Sequence, residues 1–142
     1  ASGIFNCHFM HFLLAKNTNA ARIIRTETSF IVGQATFEGY KTSGIVKKYE
    51  YLATLNSRTS QICRSMDGKV FNLNEKEDGV NYPPLHPNCR STVVPYFDEE
   101  IDVGERIARD SEGDTYYVPA DMKYEVWYDE YVRANQIISQ IY

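Results

Sequence analysis

Apolar positions recur at helical spacing from residue 17 onward. Ile23, Ile24, Phe30, Ile31, Ala35 and Phe37 form a stripe that predicts one long helix over residues 17–42, capped by Thr18 or Asn19 and stopped at Gly44. Gly33 lies inside it, a weak point for helix propensity. Glu27 sits on the stripe, one turn from Ile23, Ile24, Phe30 and Ile31. Arg25 stands about 200° around the helix from Glu27, so the two cannot pair. A carboxylate on a buried stripe needs a partner from elsewhere in the fold. The pattern then changes. Residues 46–55 (VKKYEYLATL) and 69–73 (KVFNL) read as strands, separated by a turn at Asn56-Ser57, a short irregular or helical stretch and a second turn at Asp67-Gly68. Residues 74–91 form a loop punctuated by Gly79, Pro83, Pro84 and Pro87, and residues 92–97 return as a buried strand.

Beyond an acidic linker, residues 106–109 and 115–118 flank a turn and predict a second, exposed hairpin. A last helix is expected over residues 122–140, with Tyr124, Trp127, Tyr128, Tyr131 and Ile137 on its apolar side. These elements define an α+β fold: a long N-terminal helix packed on a small antiparallel sheet, a long Pro-rich loop and a terminal helix. The chain divides into an N-terminal segment 1–16, a core 17–97, and a linker, hairpin and helix over 98–142. There is no internal repeat and no low-complexity segment.

Composition narrows the function classes. The chain has 142 residues and 43% apolar content, enough for one domain with a real core. The net charge of −4 argues against a stand-alone nucleic-acid binder. Basic residues are concentrated in the first half, whereas acids dominate between Asp98 and Glu130, a polarity that can steer docking to a charged partner, although a plain solvated acidic face is the preferred reading. Cys7, Cys63 and Cys89 are an odd, sparse set, unlike a secreted disulfide framework. The apolar opening is too short to span a membrane and has no basic n-region, so a cytoplasmic setting is expected.

Several strings carry chemistry. Cys63, His86 and Cys89 are residue types that ligate zinc, but a complete four-ligand site would need another ligand such as Asp67, His8 or His11. The alternative is that both cysteines are packed small residues with His86 hydrogen-bonded in the loop, and this reading, with no cofactor, is preferred. Cys89 with His86 also offers a nucleophile and base, with Arg25, Glu27 and Arg58 to bind a phosphate or nucleotide. No phosphate-cradling glycine loop of Walker or Rossmann spacing accompanies them. The preferred role for Arg25, Glu27, Arg58, Asp67, His86 and Arg90 is a structural polar network. In it Glu27 takes Arg58 or Arg90 and staples the loop to the helix, so that Glu27→Ala costs a few kcal/mol, the scale of a broken buried pair.

Taken in order, Arg25-Thr26-Glu27-Thr28, Asn56-Ser57-Arg58-Thr59-Ser60 with Ile62-Cys63 and Met66-Asp67-Gly68-Lys69-Val70-Phe71, and Gly79-Val80-Asn81-Tyr82-Pro83-Pro84-Leu85-His86-Pro87-Asn88-Cys89-Arg90-Ser91-Thr92 resemble the phage Mu F-like minor head proteins. Tyr116 to Met122 and Glu125-Val126-Trp127-Tyr128 resemble the C-terminal part of the branch from phages of Gram-positive hosts. Many such relatives look as though they carry C-x-x-C and Cys-Arg-Cys where this chain has Met66 and Ser91. The resemblance implies a low-copy head component located in the virion, and in the bacterial cytoplasm during assembly. It would act by binding in head morphogenesis or DNA delivery, with portal and capsid proteins and non-specifically bound packaged DNA as partners. The alternative is a toxin-like enzyme, nucleotide-transferring or RNA-cleaving, built on Arg25, Glu27, Arg58 and His86.

Overall fold

A computed structural model of the chain describes residues 7–98 and 104–134, with side chains described from residue 19 onward. Helix α1 (Cys7–Ser43) leads into strand β1 (Lys48–Leu52), the single-turn helix α2 (Gln61–Arg64) and strand β2 (Val70–Asn72). After a 3-10 turn and the long loop come β3 (Thr92–Tyr96), the hairpin β4 (Glu105–Arg109) and β5 (Thr115–Pro119), and helix α3 (Tyr124–Trp127), which continues as a wider π-helical turn over Tyr128–Arg133. The α+β architecture is the one the hydrophobic pattern predicts.

The first sheet is antiparallel throughout, in the order β2-β1-β3. Its central strand alternates, so Tyr49 and Tyr51 are fully buried on one face while Glu50 turns to the other and meets Lys123 at 2.8 Å. Phe37 from α1 and Tyr82 from the loop complete this first core, with Phe37–Tyr82 and Tyr49–Tyr82 both edge-on at 5.7 and 5.3 Å. Buried tyrosines need partners for their hydroxyls, and they have them: Tyr49 donates to Asn81 Oδ1, and Tyr82 donates to the Gly33 carbonyl at 2.8 Å. Gly33 is there for this approach, since a Cβ on it would lie 3.2 Å from the Tyr82 ring.

The β4-β5 hairpin is exposed on one face, as Ile107 and Tyr117 show, and buried on the other. Ala108 and Val118 pack with Leu55, Tyr124 and Trp127 into a second core, and the Arg109 amide donates to the Leu55 carbonyl. The hairpin turn is held by Asp110, whose Oδ1 accepts from the amides of Glu112, Gly113 and Asp114.

Helix α1 departs most from expectation. It runs unbroken through 17–19, so neither Thr18 nor Asn19 caps it, and it crosses the boundary drawn at residue 16. At 37 residues it is about 55 Å long, whereas a five-residue strand covers roughly 17 Å, so the small sheet can shield only a fraction of it. Phe37 is buried accordingly, while Ile23, Ile24 and Ile31 are 61%, 63% and 64% exposed. The stripe is helical in period, but its first half faces away from both cores. The last helix is described as far as Ala134, and Ile137 lies outside the described residues.

Candidate functional site

The proline-rich loop and α2 meet at a cleft of about 250 Å³, lined by Asn56, Arg58, Ser60, Cys63, His86 and Arg90 among others. Three local features build it. Ser60 caps α2, accepting from the Cys63 amide and so turning Cys63 inward, where it is 1% exposed. The Cys89 amide closes a turn onto the His86 carbonyl, with Asn88 in the left-handed region at φ 64°, and this points Cys89 back toward Cys63. Thr26 on α1 then accepts from the Asn88 amide at 3.0 Å and fastens the loop tip to the helix.

The result is a compact sulfur and imidazole cluster. Cys63 Sγ lies 3.6 Å from Cys89 Sγ and 3.2 Å from His86 Nε2, and the Tyr51 hydroxyl donates to Cys63 Sγ at 3.3 Å. His86 Nδ1 lies 2.9 Å from the Pro87 carbonyl. A carbonyl only accepts, so Nδ1 carries a proton, and Nε2 faces the Ser60 hydroxyl at 2.7 Å and Cys63 Sγ at 3.2 Å. The two thiols cannot ionise independently. The hydrogen bond from Cys89 holds the Cys63 thiol well below the usual range, and the same bond together with burial pushes Cys89 up.

A second polar centre lies outside the cleft. Asp67, with its side chain 2% exposed, accepts from the amides of Ala53 and Tyr124, both at 2.7 Å, and pairs with Arg106 at 3.2 Å. Arg106 also donates to the carbonyls of Met122 and Ala53. The knot therefore joins the end of β1, strand β4 and the start of α3. Arg106 was not among the sequence candidates. The available signal was the strand period, which puts it on the same face of β4 as buried Ala108.

The candidate residues thus separate. Arg58, His86 and Arg90 line one cleft, although both arginines are exposed. Asp67 belongs to the knot. Arg25 and Glu27 stand exposed on α1, and Glu27 makes no ion pair with Arg58, Arg90 or any other group among the described residues. The expected staple is not formed, because the stripe carrying Glu27 faces solvent, where a carboxylate needs no protein partner. Thr26, its neighbour, ties helix to loop instead.

The fold and site thus define an α+β domain, with a long helix left open on one side and a Cys-His cluster closing its loop. Residues 10–94, more than half of the chain, match the family model described as phage Mu protein F like protein, and the chain belongs to that family. It is also similar to the NAD(+)--arginine ADP-ribosyltransferase EFV of Enterococcus faecalis (strain ATCC 700802 / V583). The two are 26% identical over 135 residues, covering 86% of this chain and 27% of the relative. The chain therefore spans about a quarter of that protein's length. No solved structure matches it. Among the described residues, no helix is long and apolar enough to cross a membrane.

Proposed function

We propose that the protein is a minor head component of a tailed phage, acting by binding during head morphogenesis, DNA packaging or delivery. Family membership over residues 10–94 carries this reading. The exposed stripe of Ile23, Ile24, Phe30 and Ile31 supports it, because an apolar helix face open to solvent is the surface that an assembly partner covers. The partners in this reading are the portal and capsid proteins, with packaged DNA contacted non-specifically through phosphates. The site of action is the virion, reached from the bacterial cytoplasm during assembly. Quantitative mass spectrometry of purified DNA-filled particles tests it. A few copies per portal are expected, and absence from particles with the protein free in the lysate overturns it.

The likeness to an arginine ADP-ribosyltransferase favours a second reading, a nucleotide-transferring or RNA-cleaving domain. That reading needs Arg25, Glu27, Arg58 and His86 around one substrate. Arg58 and His86 line the cleft, but Arg25 and Glu27 sit on the exposed helix. Turnover of NAD or RNA by the purified chain would move the weight to it.

A further inference from the structure

We propose that the chain binds a zinc ion through Cys63 Sγ, Cys89 Sγ and His86 Nε2, with the fourth corner of the tetrahedron open to the cleft. The three ligand atoms lie within 4.8 Å of one another. A tetrahedral zinc with Zn–S of about 2.3 Å and Zn–N of about 2.0–2.1 Å separates two sulfurs by about 3.8 Å and sulfur from nitrogen by about 3.5 Å. Two of the three separations here, 3.6 and 3.2 Å, are within a few tenths of an ångström of those values, and the third, between Cys89 Sγ and His86 Nε2, is at most 4.8 Å and has to shorten as the ligands close on the ion.

The surroundings fit as well as the spacing. A zinc-binding histidine donates its other ring N–H to a carbonyl or carboxylate, which fixes the tautomer and the ring plane. His86 Nδ1 does this with the Pro87 carbonyl, leaving Nε2 as the ligand atom once it exchanges the Ser60 hydroxyl, 2.7 Å away, for the ion. The Tyr51 hydroxyl already donates to Cys63 Sγ, as donors do to metal-bound thiolates. Two thiolates balance the two charges of the ion, so the centre is neutral where both sulfurs are buried. The Ser60 hydroxyl, Asn56 and Arg58 border the open side, where water or an anionic group would complete the coordination. Such an ion would pin the loop carrying His86 and Cys89 to α2.

The test uses the whole chain, purified in reductant without affinity metals. Elemental mass spectrometry should find about one zinc per chain, and cobalt replacement should give thiolate-to-metal charge transfer with tetrahedral visible bands. Cys7→Ser should keep the cobalt spectrum, while Cys63→Ser and Cys89→Ser should lose most of the charge transfer. Trp127 fluorescence reports whether each variant is folded. If those variants unfold, the wild-type spectrum still decides. A metal-free protein that gives no charge-transfer band on cobalt addition overturns the proposal. So does a band unchanged in folded Cys89→Ser, or loss of two titratable thiols to a disulfide in protein kept reduced.

Discussion

Replacing Asp67 with alanine should be the most damaging single polar change in the described part of the molecule. Its carboxylate satisfies two backbone amides, Ala53 and Tyr124, and neutralises Arg106, which is itself only 10% exposed. Removing one partner of such a pair leaves a buried charge uncompensated, which costs about 3–5 kcal/mol. Two orphaned amides add to the penalty, at about 1–3 kcal/mol each where water cannot reach them. Water entering the vacated space lowers that second contribution, so about 3–5 kcal/mol is the working figure. Against a total stability of about 5–15 kcal/mol this is a large fraction. For a domain of this size it corresponds to a melting point lower by roughly 10–20 °C. The single tryptophan, Trp127, is buried beside the knot and supplies the fluorescence signal for thermal and urea unfolding. A double-mutant cycle with Arg106→Met isolates the pair: the double variant should be less destabilised than the sum of the singles. If Asp67→Ala melts within about 2 °C of the parent, a shift worth under 1 kcal/mol, the knot is not the fastener described here.

Glu27→Ala, by contrast, should leave the melting point nearly unchanged, within about 0.5 kcal/mol, because the carboxylate is exposed and unpaired among the described residues; a loss of several kcal/mol in a urea titration would restore the staple. The helix glycines should split. Gly39→Ala meets nothing within 4 Å and should stabilise by about 0.5–1 kcal/mol, whereas Gly33→Val should destabilise by crowding the Tyr82 ring, both read by urea midpoint. Alkaline titration followed by tyrosinate absorbance should show a lagging fraction. Burial pushes Tyr49 up to about 12 and raises Tyr82 above the ordinary 10.0, so the unfolded chain releases these protons first. The stability they contribute is present below pH 10 and is lost as pH rises toward 12, and simple, unlagged titration of all tyrosines would contradict it.

The elements were legible because their periods are strong. The alternation of Tyr49 and Tyr51, the Asp67-Gly68 turn and the return at residues 92–96 all carry local signals, and the sheet follows from them. What covers α1 was not legible. A stripe of Ile23, Ile24, Phe30 and Ile31 has the same period whether it faces a core or a partner, and only the length of helix against sheet decides. The knot was half legible: Asp67 stood out in a turn, but its partner sits 39 residues further on. No local rule links the two. The cluster was visible as residue types. Its geometry depends on the Ser60 cap and the Asn88 turn, which bring side chains from α2 and the proline-rich loop within a few ångströms.

Strands of three to five residues and a single hairpin bury too little to stand alone, so the fold depends on fasteners between them. The links between the two cores centre on the end of β1 and the segment that joins it to β2. Tyr51, Ala53 and Cys63 belong to the first core, Leu55 belongs to the second, and Asp67 ties the two together. The Asn56 carbonyl adds a further link by accepting from the Tyr124 hydroxyl. A change in this segment therefore reaches both cores at once. A change at Ile23, Ile24 or Ile31 reaches neither, since these exposed side chains belong to neither core. Stability and the open apolar face are thus held by different parts of one chain. That separation suits an assembly protein, because the apolar face can be matched to a partner without disturbing the scaffold that presents it.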